Sequence, residues 1–495
     1  MFKKILVANR GEIALRIMKA LREMNISSVA VYSDADKTAA HRMFADQSVY
    51  IGASDPKASY LNMEAIIAAA KETGTEAIHP GYGFLSENPD FALLCEEKGI
   101  VFIGPPARVI QSLGDKTVAR QMMIQGDVPV TPGMEKPETD IKALMNTAKV
   151  LGYPVLIKAA AGGGGKGMRI VTRAEDMKDA CEAAAREAAQ AFGNGAIYLE
   201  KYLLRPRHVE IQILADSHGN VVHLFERECS IQRRYQKIIE ESPSPALSPQ
   251  LREQMGQAAV RAAQASGYVN AGTVEFLLDQ DNQFYFLEVN TRLQVEHPVT
   301  ELITGIDLVR QQIHIAAGEE LTLTQADITA KGHAIECRIY GEDPENDFFP
   351  SPGEITYMNE PKGPGIRNDC GVYAGYTVPV EYDPILSKLV VYGETRDIAI
   401  NRMIQALKAY VILGVKTPIP FLADILDSAP FREGATTTDF IDTYFKEWTP
   451  NNTDSHLPFI AYIVDEISKK TTSQKGTART EGYPTPWETI GNYRP

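Results

Sequence analysis

The chain has 495 residues, 44% of them hydrophobic and 23% charged, which exceeds one ordinary core and predicts a globular protein of two to four domains. Its formal net charge of −14 argues against nonspecific nucleic-acid binding, which rests on an extended basic surface. No apolar run spans a bilayer, the N-terminus lacks a secretory pattern, and five scattered cysteines without Cys-x-x-Cys predict a reducing, cytoplasmic setting with no zinc site and no membrane partner.

In chain order, Lys4 to Ala8 reads as a strand, Gly11 to Met24 as a helix, and Ser28 to Ser33 as a strand ending at Asp34 and Asp36. A helix over Ala65 to Glu72, a strand over Glu76 to His79, a helix over Phe91 to Lys98 and a strand over Val101 to Ile103 follow. This alternation predicts a parallel, Rossmann-like sheet in residues 1–114. Its first turn, Ala8-Asn9-Arg10-Gly11-Glu12, lacks the dinucleotide glycine fingerprint, so a scaffold role is expected.

A distinct unit begins around Pro129-Val130-Thr131-Pro132-Gly133. Within it, residues of about 130–203 hold a strand over Pro154 to Ala160, the loop Gly162-Gly163-Gly164-Gly165-Lys166-Gly167, a strand over Met168 to Val171, an Ala- and Glu-rich helix to about Ala191, and a strand over Ala196 to Tyr202. A strand follows the glycine loop, so it is not a dinucleotide fingerprint. Gly167 follows Lys166, so it is not a Walker A loop. A glycine loop between antiparallel strands fits a flap over triphosphate, because backbone N–H groups approach phosphate closely where no Cβ intrudes. Lys158, on the entering strand, is placed to offer those phosphates a point charge.

Pro249 to Ala265 reads as a helix, and Thr273 to Leu278 with Phe284 to Glu288 as a hairpin. Turning about Asp281 sets Glu275 opposite Leu287; turning between Asp281 and Asn282 sets it opposite Glu288, and the pattern alone allows either register. In the second, two like charges face each other, which is unfavourable unless a divalent cation such as Mg2+ joins them. Next comes Glu288-Val289-Asn290-Thr291-Arg292-Leu293-Gln294-Val295-Glu296. If it is extended, Glu288, Asn290, Arg292, Gln294 and Glu296 share one face. That face is equipped to grip a metal and a small oxyanion. Past residue 330, Ala334 to Tyr340 reads as a strand and Glu394 to Ala409 as a helix. From Thr449 the chain turns polar, with one amphipathic helix expected over His456 to Lys470.

Several long motifs together resemble the biotin carboxylase family. They are Asn9-Arg10-Gly11-Glu12-Ile13-Ala14, the segment His79-Pro80-Gly81-Tyr82-Gly83-Phe84-Leu85-Ser86-Glu87-Asn88, the glycine loop, and Pro206-Arg207-His208-Val209-Glu210-Ile211-Gln212. Gln232-Arg233-Arg234 and the run from Asn290 to Glu301 complete the set. The resemblance covers about residues 2–445. It implies an α/β and α+β architecture: a Rossmann-like domain (1–114), an ATP-grasp region (115–330) with its mobile glycine-loop lid, a mixed α+β C-terminal domain (331–446) and a polar extension (447–495).

The implied activity is carboxylation of biotin on a carrier protein, using ATP, Mg2+ or Mn2+, and bicarbonate. The implied roles assign Lys116, Lys158, Gly162, Gly163, Gly164, Gly165, Gly167, His208 and Gln232 to ATP, and Glu200, Lys201 and Leu203 to its adenine end. Glu275, Glu288 and Asn290 would hold the metal. Lys237, Arg292, Gln294 and Val295 would hold bicarbonate, with Glu296 as general base. Arg338 would stabilise the biotin enolate, and Tyr82 would lie near biotin. Tyr235 stands where the family commonly has histidine and is given no nucleotide role.

The implied partners are a biotin carboxyl carrier protein, a second copy of the chain and a carboxyltransferase subunit. The final acceptor would be acetyl-CoA or another acyl-CoA, or pyruvate or another 2-oxo acid. Trp487 and Tyr493, in the polar extension, mark it as a segment expected to dock a partner protein of the complex. Two competing readings are another ATP-grasp ligase, of carbamoyl-phosphate or purine type, and a noncatalytic nucleotide-binding scaffold.

Overall fold

The computed structural model describes residues 1–134, 136–159, 168–192, 195–450 and 462–464. The glycine loop, with Gly162, Gly163, Gly164, Gly165 and Gly167, lies outside the described residues, as do Trp487 and Tyr493. Met1–Trp448 forms one unit and Thr449–Pro495 another. In the second, residues 462–464 are helical; the rest of the helix expected over His456 to Lys470 lies outside the described residues.

The alternating N-terminal pattern folds into a parallel sheet. Its strands are β1 (Lys4–Val7), β2 (Ser27–Ser33), β3 (Gln47–Gly52), β4 (Ala77–His79) and β5 (Val101–Phe102), in the order β3-β2-β1-β4-β5. Strand β3 has only one fully buried residue in six, so it carries little apolar periodicity and is not legible as a strand in the sequence. The sheet ends in loops facing the site. Asn9 Nδ2 donates to the carbonyls of Pro80 and Tyr82, each at 2.7 Å. Gly81 lies beneath that amide with φ 64°; a Cβ there would come within 2.9 Å of Asn9 Nδ2. The glycine therefore permits the close approach that fixes Tyr82.

Strands β6 (Val155–Ala159), β7 (Arg169–Val171) and β8 (Ile197–Lys201) form an antiparallel sheet in the order β7-β6-β8. Helices Ile141–Leu151 and Met177–Phe192 pack on it through Leu144, Ala148, Met177 and Ala184.

The third sheet carries the site. Strands β9 (Arg207–Ala215), β10 (Val221–Arg233), β11 (Gln236–Ser242), β12 (Asn270–Leu278), β13 (Phe284–Asn290) and β14 (His333–Tyr340) join Ile366–Cys370 and Ile385–Gly393 in one eight-stranded sheet. It is continuous across residue 330. Period-2 alternation sorts its two faces. Val209, Ile211 and Ile213 of β9 pack with Val274 and Phe276 of β12 against Met255, Ala258 and Ala262 of the helix Pro249–Ser266. His208, Glu210, Gln212 and Glu275 fall on the alternate positions and are also buried. The sheet thus has an apolar buried face and a polar buried face, and the polar one requires internal partners.

The hairpin contains both registers that the sequence allowed. Near the turn Leu278 pairs with Phe284 and Phe276 with Phe286. A bulge follows, and Glu275 pairs with Glu288. Leu287 is the additional residue, and a bulge is the local device that changes register within one strand pair.

Candidate active site

The expectation of one extended face from Glu288 to Glu296 is corrected by the structure. Strand β13 ends at Asn290, residues 291–296 form a loop, and the helix His297–Thr304 begins immediately after. The cause is local. Glu87, from the N-terminal domain, accepts from the Thr291 backbone N–H at 3.1 Å and from Arg292 Nε at 2.9 Å, so that N–H serves a side chain instead of extending the ladder. Arg292 also donates to Gln294 Oε1 at 2.8 Å and Asn290 Oδ1 at 3.1 Å. The charged groups still converge, but through a turn.

Across the sheet, Glu288, Glu275, Glu210 and Arg227 occupy directly paired positions on β13, β12, β9 and β10. Three carboxylates in a row repel unless cations intervene. Lys237, on β11, supplies one ammonium to three acids: Glu210 at 2.6 Å, Glu275 at 2.8 Å and Glu296 at 2.8 Å. Arg227 is fully buried and donates to Glu210, Gln212, Thr300 and Thr273 at 2.5–3.0 Å. Arg338 Nη2 bridges Glu240 at 2.6 Å and Glu296 at 3.1 Å.

These partners set the ionisation states. Burial favours the neutral form of Glu296, but Lys237, Arg338 and Arg227 outweigh it and hold the carboxyl well below its usual range. Glu275 is likewise held low against its burial, by Lys237 and His208; His208 Nε2 lies 3.0 Å from its carboxylate. Glu240 behaves oppositely: burial dominates the Arg338 contact and pushes it up to about 7. Glu288 remains solvent-accessible, yet partial desolvation and then the facing Glu275 carboxylate raise its carboxyl above the usual range. That penalty disappears if a divalent cation bridges the pair, so these residues fit Mg2+ or Mn2+. Asn290 reaches the same place, donating to Glu275 Oε1 at 2.8 Å.

A cleft of about 250 Å³ opens beside this row, lined in part by Glu87, Lys116, Glu288, Asn290 and Thr291. Lys116 starts the helix Lys116–Gln125, whose first turn Asp115 caps. Gln232 Nε2 lies 3.0 Å from His208 Nδ1. On the smaller sheet Lys158 pairs with Glu200, which also faces Arg120 at 3.6 Å. Lys201 Nζ donates to Gly152 O at 3.1 Å, and Leu203 is half-buried just past β8. Gln294 donates to Glu275 at 3.3 Å, and Val295 O accepts from Lys388 Nζ at 3.0 Å. Tyr82 lies over that same ammonium, 5.6 Å from ring centroid to Nζ. Tyr235 stands at the β10–β11 turn, 94% exposed.

The structure adds Glu87, Glu210, Arg227 and Glu240 to the site residues assigned from sequence. Glu210 carried a signal: it stands between Val209 and Ile211 in a motif already singled out. Glu87 carried none beyond its motif, because its partners lie 204 and 205 residues away.

The chain matches the family descriptions "Biotin carboxylase, N-terminal domain" over residues 1–110, "Carbamoyl-phosphate synthase L chain, ATP binding domain" over 115–324 and "Biotin carboxylase C-terminal domain" over 336–443. It is 53% identical over 445 residues to biotin carboxylase 1 of Bacillus subtilis, covering 90% of this chain and 99% of that one. It is also 53% identical, over 441 residues, to the biotin carboxylase of Nostoc sp., covering 89% of this chain and 98% of that one. Among solved structures, the biotin carboxylase of Campylobacter jejuni, in complex with an ATP compound, superposes with a TM-score of 0.85 at 46% identity, over 90% of this chain and 99% of that one. The biotin carboxylase domain dimer of Hydrogenobacter thermophilus 2-oxoglutarate carboxylase, solved with MgADP, ADP and bicarbonate, gives 0.84 at 49%, over 90% and 98%. With its converging carboxylates, its lysine and its two arginines, this chain belongs to the biotin carboxylase family of ATP-grasp ligases.

Proposed function

We propose that this chain carboxylates biotin on a carrier protein, consuming ATP and bicarbonate through carboxyphosphate, as the biotin carboxylase subunit of a multi-subunit carboxylase. The observation that carries the reading is the convergence of Glu296, Lys237 and Arg338 beside the Glu275–Glu288 pair.

In this reading Lys116, Lys158, His208, Gln232 and the glycine loop bind the phosphates of ATP, and Glu200, Lys201 and Leu203 its adenine end. Glu275, Glu288 and Asn290 hold Mg2+ or Mn2+, which offsets phosphate charge during transfer. Arg292 presents a planar fork to bicarbonate, and Lys237, Gln294 and Val295 complete its cradle. Glu296 takes the bicarbonate proton. Its low affinity for protons, set by Lys237 and Arg338, makes it a weak base until bicarbonate draws Lys237 onto its own oxygens. Loss of that donor raises the basicity of Glu296 at the moment when a base is required. The bicarbonate oxygen attacks the γ-phosphorus, the ADP oxygen leaves, and carboxyphosphate forms. Carboxyphosphate then breaks at its C–O bond into CO2 and phosphate, and the phosphate takes the ureido N–H proton of biotin. Arg338 stabilises the resulting enolate with Tyr82 alongside, and the ureido nitrogen attacks CO2 to form the N–C bond.

The functional division follows residues 1–114, 115–330 with the 130–203 lid, and 331–446, and the active form is a homodimer in the cytoplasm. A biotin carboxyl carrier protein presents the substrate, and a carboxyltransferase passes the carboxyl group to an acyl-CoA or a 2-oxo acid. The test is ATP cleavage with bicarbonate, with and without free biotin. Stimulation by biotin is expected. Bicarbonate-dependent cleavage indifferent to biotin would assign the chain to another ATP-grasp reaction, and no cleavage at all would leave a binding scaffold.

A further inference from the structure

Lys388 is a fully buried lysine, and none of the roles above uses it. A buried ammonium is costly unless it is paired and hydrogen-bonded, so its partners show what the fold gains from it. Its Nζ donates to the Val295 carbonyl at 3.0 Å. It lies 3.2 Å from Glu12 Oε2, itself fully buried. The Tyr82 ring covers it at 5.6 Å, within the range of a cation–π contact. The Tyr82 hydroxyl is buried with no hydrogen-bond partner among the described residues, so the ring meets this ammonium through its face and not through its hydroxyl.

These partners come from three separate parts of the chain. Lys388 stands on Ile385–Gly393, directly opposite Arg338 in the ladder. Glu12 lies in the first turn of the helix Gly11–Glu23. Val295 belongs to the loop that ends in Glu296. The Glu12 end is fixed independently: a Cβ on Gly371 would come within 2.6 Å of the Glu12 backbone nitrogen. The turn after Ile366–Cys370 is therefore pressed directly against that helix N-terminus.

We propose that Lys388 is a positioning residue for bicarbonate and biotin. By holding the Val295 carbonyl it sets the orientation of the adjoining Gln294–Val295–Glu296 peptides. By facing Tyr82 it ties that orientation to the ring beside biotin. Glu12 anchors the ammonium to the N-terminal domain, which gives the Asn9-Arg10-Gly11-Glu12 motif a function that its sequence alone did not reveal. This inference rests on the proposed roles of Val295 and Tyr82.

The test is steady-state biotin-dependent ATP cleavage with Lys388→Met, which keeps the apolar stem and removes the donor. Losing a hydrogen bond from a charged group should raise the KM for bicarbonate roughly tenfold or more, with the KM for ATP unmoved. A purely structural defect would move both constants together with the thermal midpoint, and that result would overturn the proposal, as would an unchanged bicarbonate KM. Glu12→Gln, which leaves Lys388 in place, should raise the bicarbonate KM by a smaller factor; it decides the matter if Lys388→Met does not fold, and no rise would then count against the proposal. Arg292→Gln, assayed in parallel, separates the two levels. If Arg292→Gln raises the bicarbonate KM and the Lys388 and Glu12 variants do not, Lys388 loses its role while the bicarbonate site stands. If none of the three moves it, the bicarbonate site itself falls, and Lys388 with it.

Discussion

Glu296 and Arg227 are both buried beside groups of opposite charge, yet different effects are expected from replacing them. Glu296 touches the reacting groups in the proposed chemistry, so Glu296→Gln should lower biotin-dependent turnover by about 10²–10⁴-fold, the usual worth of a positioned base, while ATP still binds. Equilibrium binding of ATP beside single-turnover kinetics would separate the two. Arg227 shares the polar face but is fully enclosed by four acceptors. Arg227→Ala leaves Glu210 buried with one cation fewer and should cost about 3–5 kcal/mol of stability, read by chemical denaturation. Glu12 gives a pH signature. Burial, opposed by Lys388, raises its carboxyl from 4.5 to about 7. The fold therefore favours the neutral acid: this contribution is fully present below pH 4.5 and is lost as pH rises through about 7. Glu12→Gln does not ionise, so its thermal midpoint should gain on wild type as pH rises across that window. A constant difference would contradict the assignment.

At the scale of elements, the bulged hairpin β12–β13 makes a prediction with two signs. Its bulge brings Glu275 and Glu288 face to face, an arrangement that weakens the metal-free protein and serves the metal-bound one. Glu288→Gln should stabilise the metal-free protein by about 0.2–1 kcal/mol, the range for a cross-strand pair. The same change should raise the Mg2+ concentration needed for half-maximal ATP cleavage. A variant that loses stability without metal, or keeps its Mg2+ requirement, would remove the pair from metal binding. The loop after β13 shows the same logic, since Glu87 ends the strand and turns Arg292 toward Gln294.

For the whole molecule, the boundary at Trp448 is set by packing. Trp448 packs edge-on against Phe421 at 5.0 Å and its indole N–H donates to Asp424 at 2.7 Å, and Thr449–Pro495 forms a separate unit. Truncation after Trp448 should leave free-biotin carboxylation and the thermal midpoint unchanged. If the extension docks another protein of the complex, as Trp487 and Tyr493 suggest, the same truncation should weaken co-purification of the carboxylase assembly. Equal assembly without it would refute that role. Among the described residues no helix is long and apolar enough to cross a membrane.

Long, strongly patterned segments were legible in the sequence: the parallel N-terminal sheet apart from β3, the strands flanking the glycine loop, the helix Pro249–Ser266 and the β12–β13 hairpin. In each, the period of apolar residues reports directly which face is buried. Glu288 and Asn290 share one face of β13 as the alternation predicted, whereas the roles given to the other site residues rested on the resemblance of whole motifs to the family and not on spacing. Tertiary structure alone decided the rest. The hairpin register depended on a bulge, because both turn positions satisfied the same alternation. The path of Thr291 to Glu296 depended on Glu87, and the three-way pairing of Lys237 and the burial of Lys388 depended on strands far apart in the chain. Local pattern encodes burial, whereas the partner of a buried charge is chosen by whichever distant group the finished fold brings within hydrogen-bonding distance.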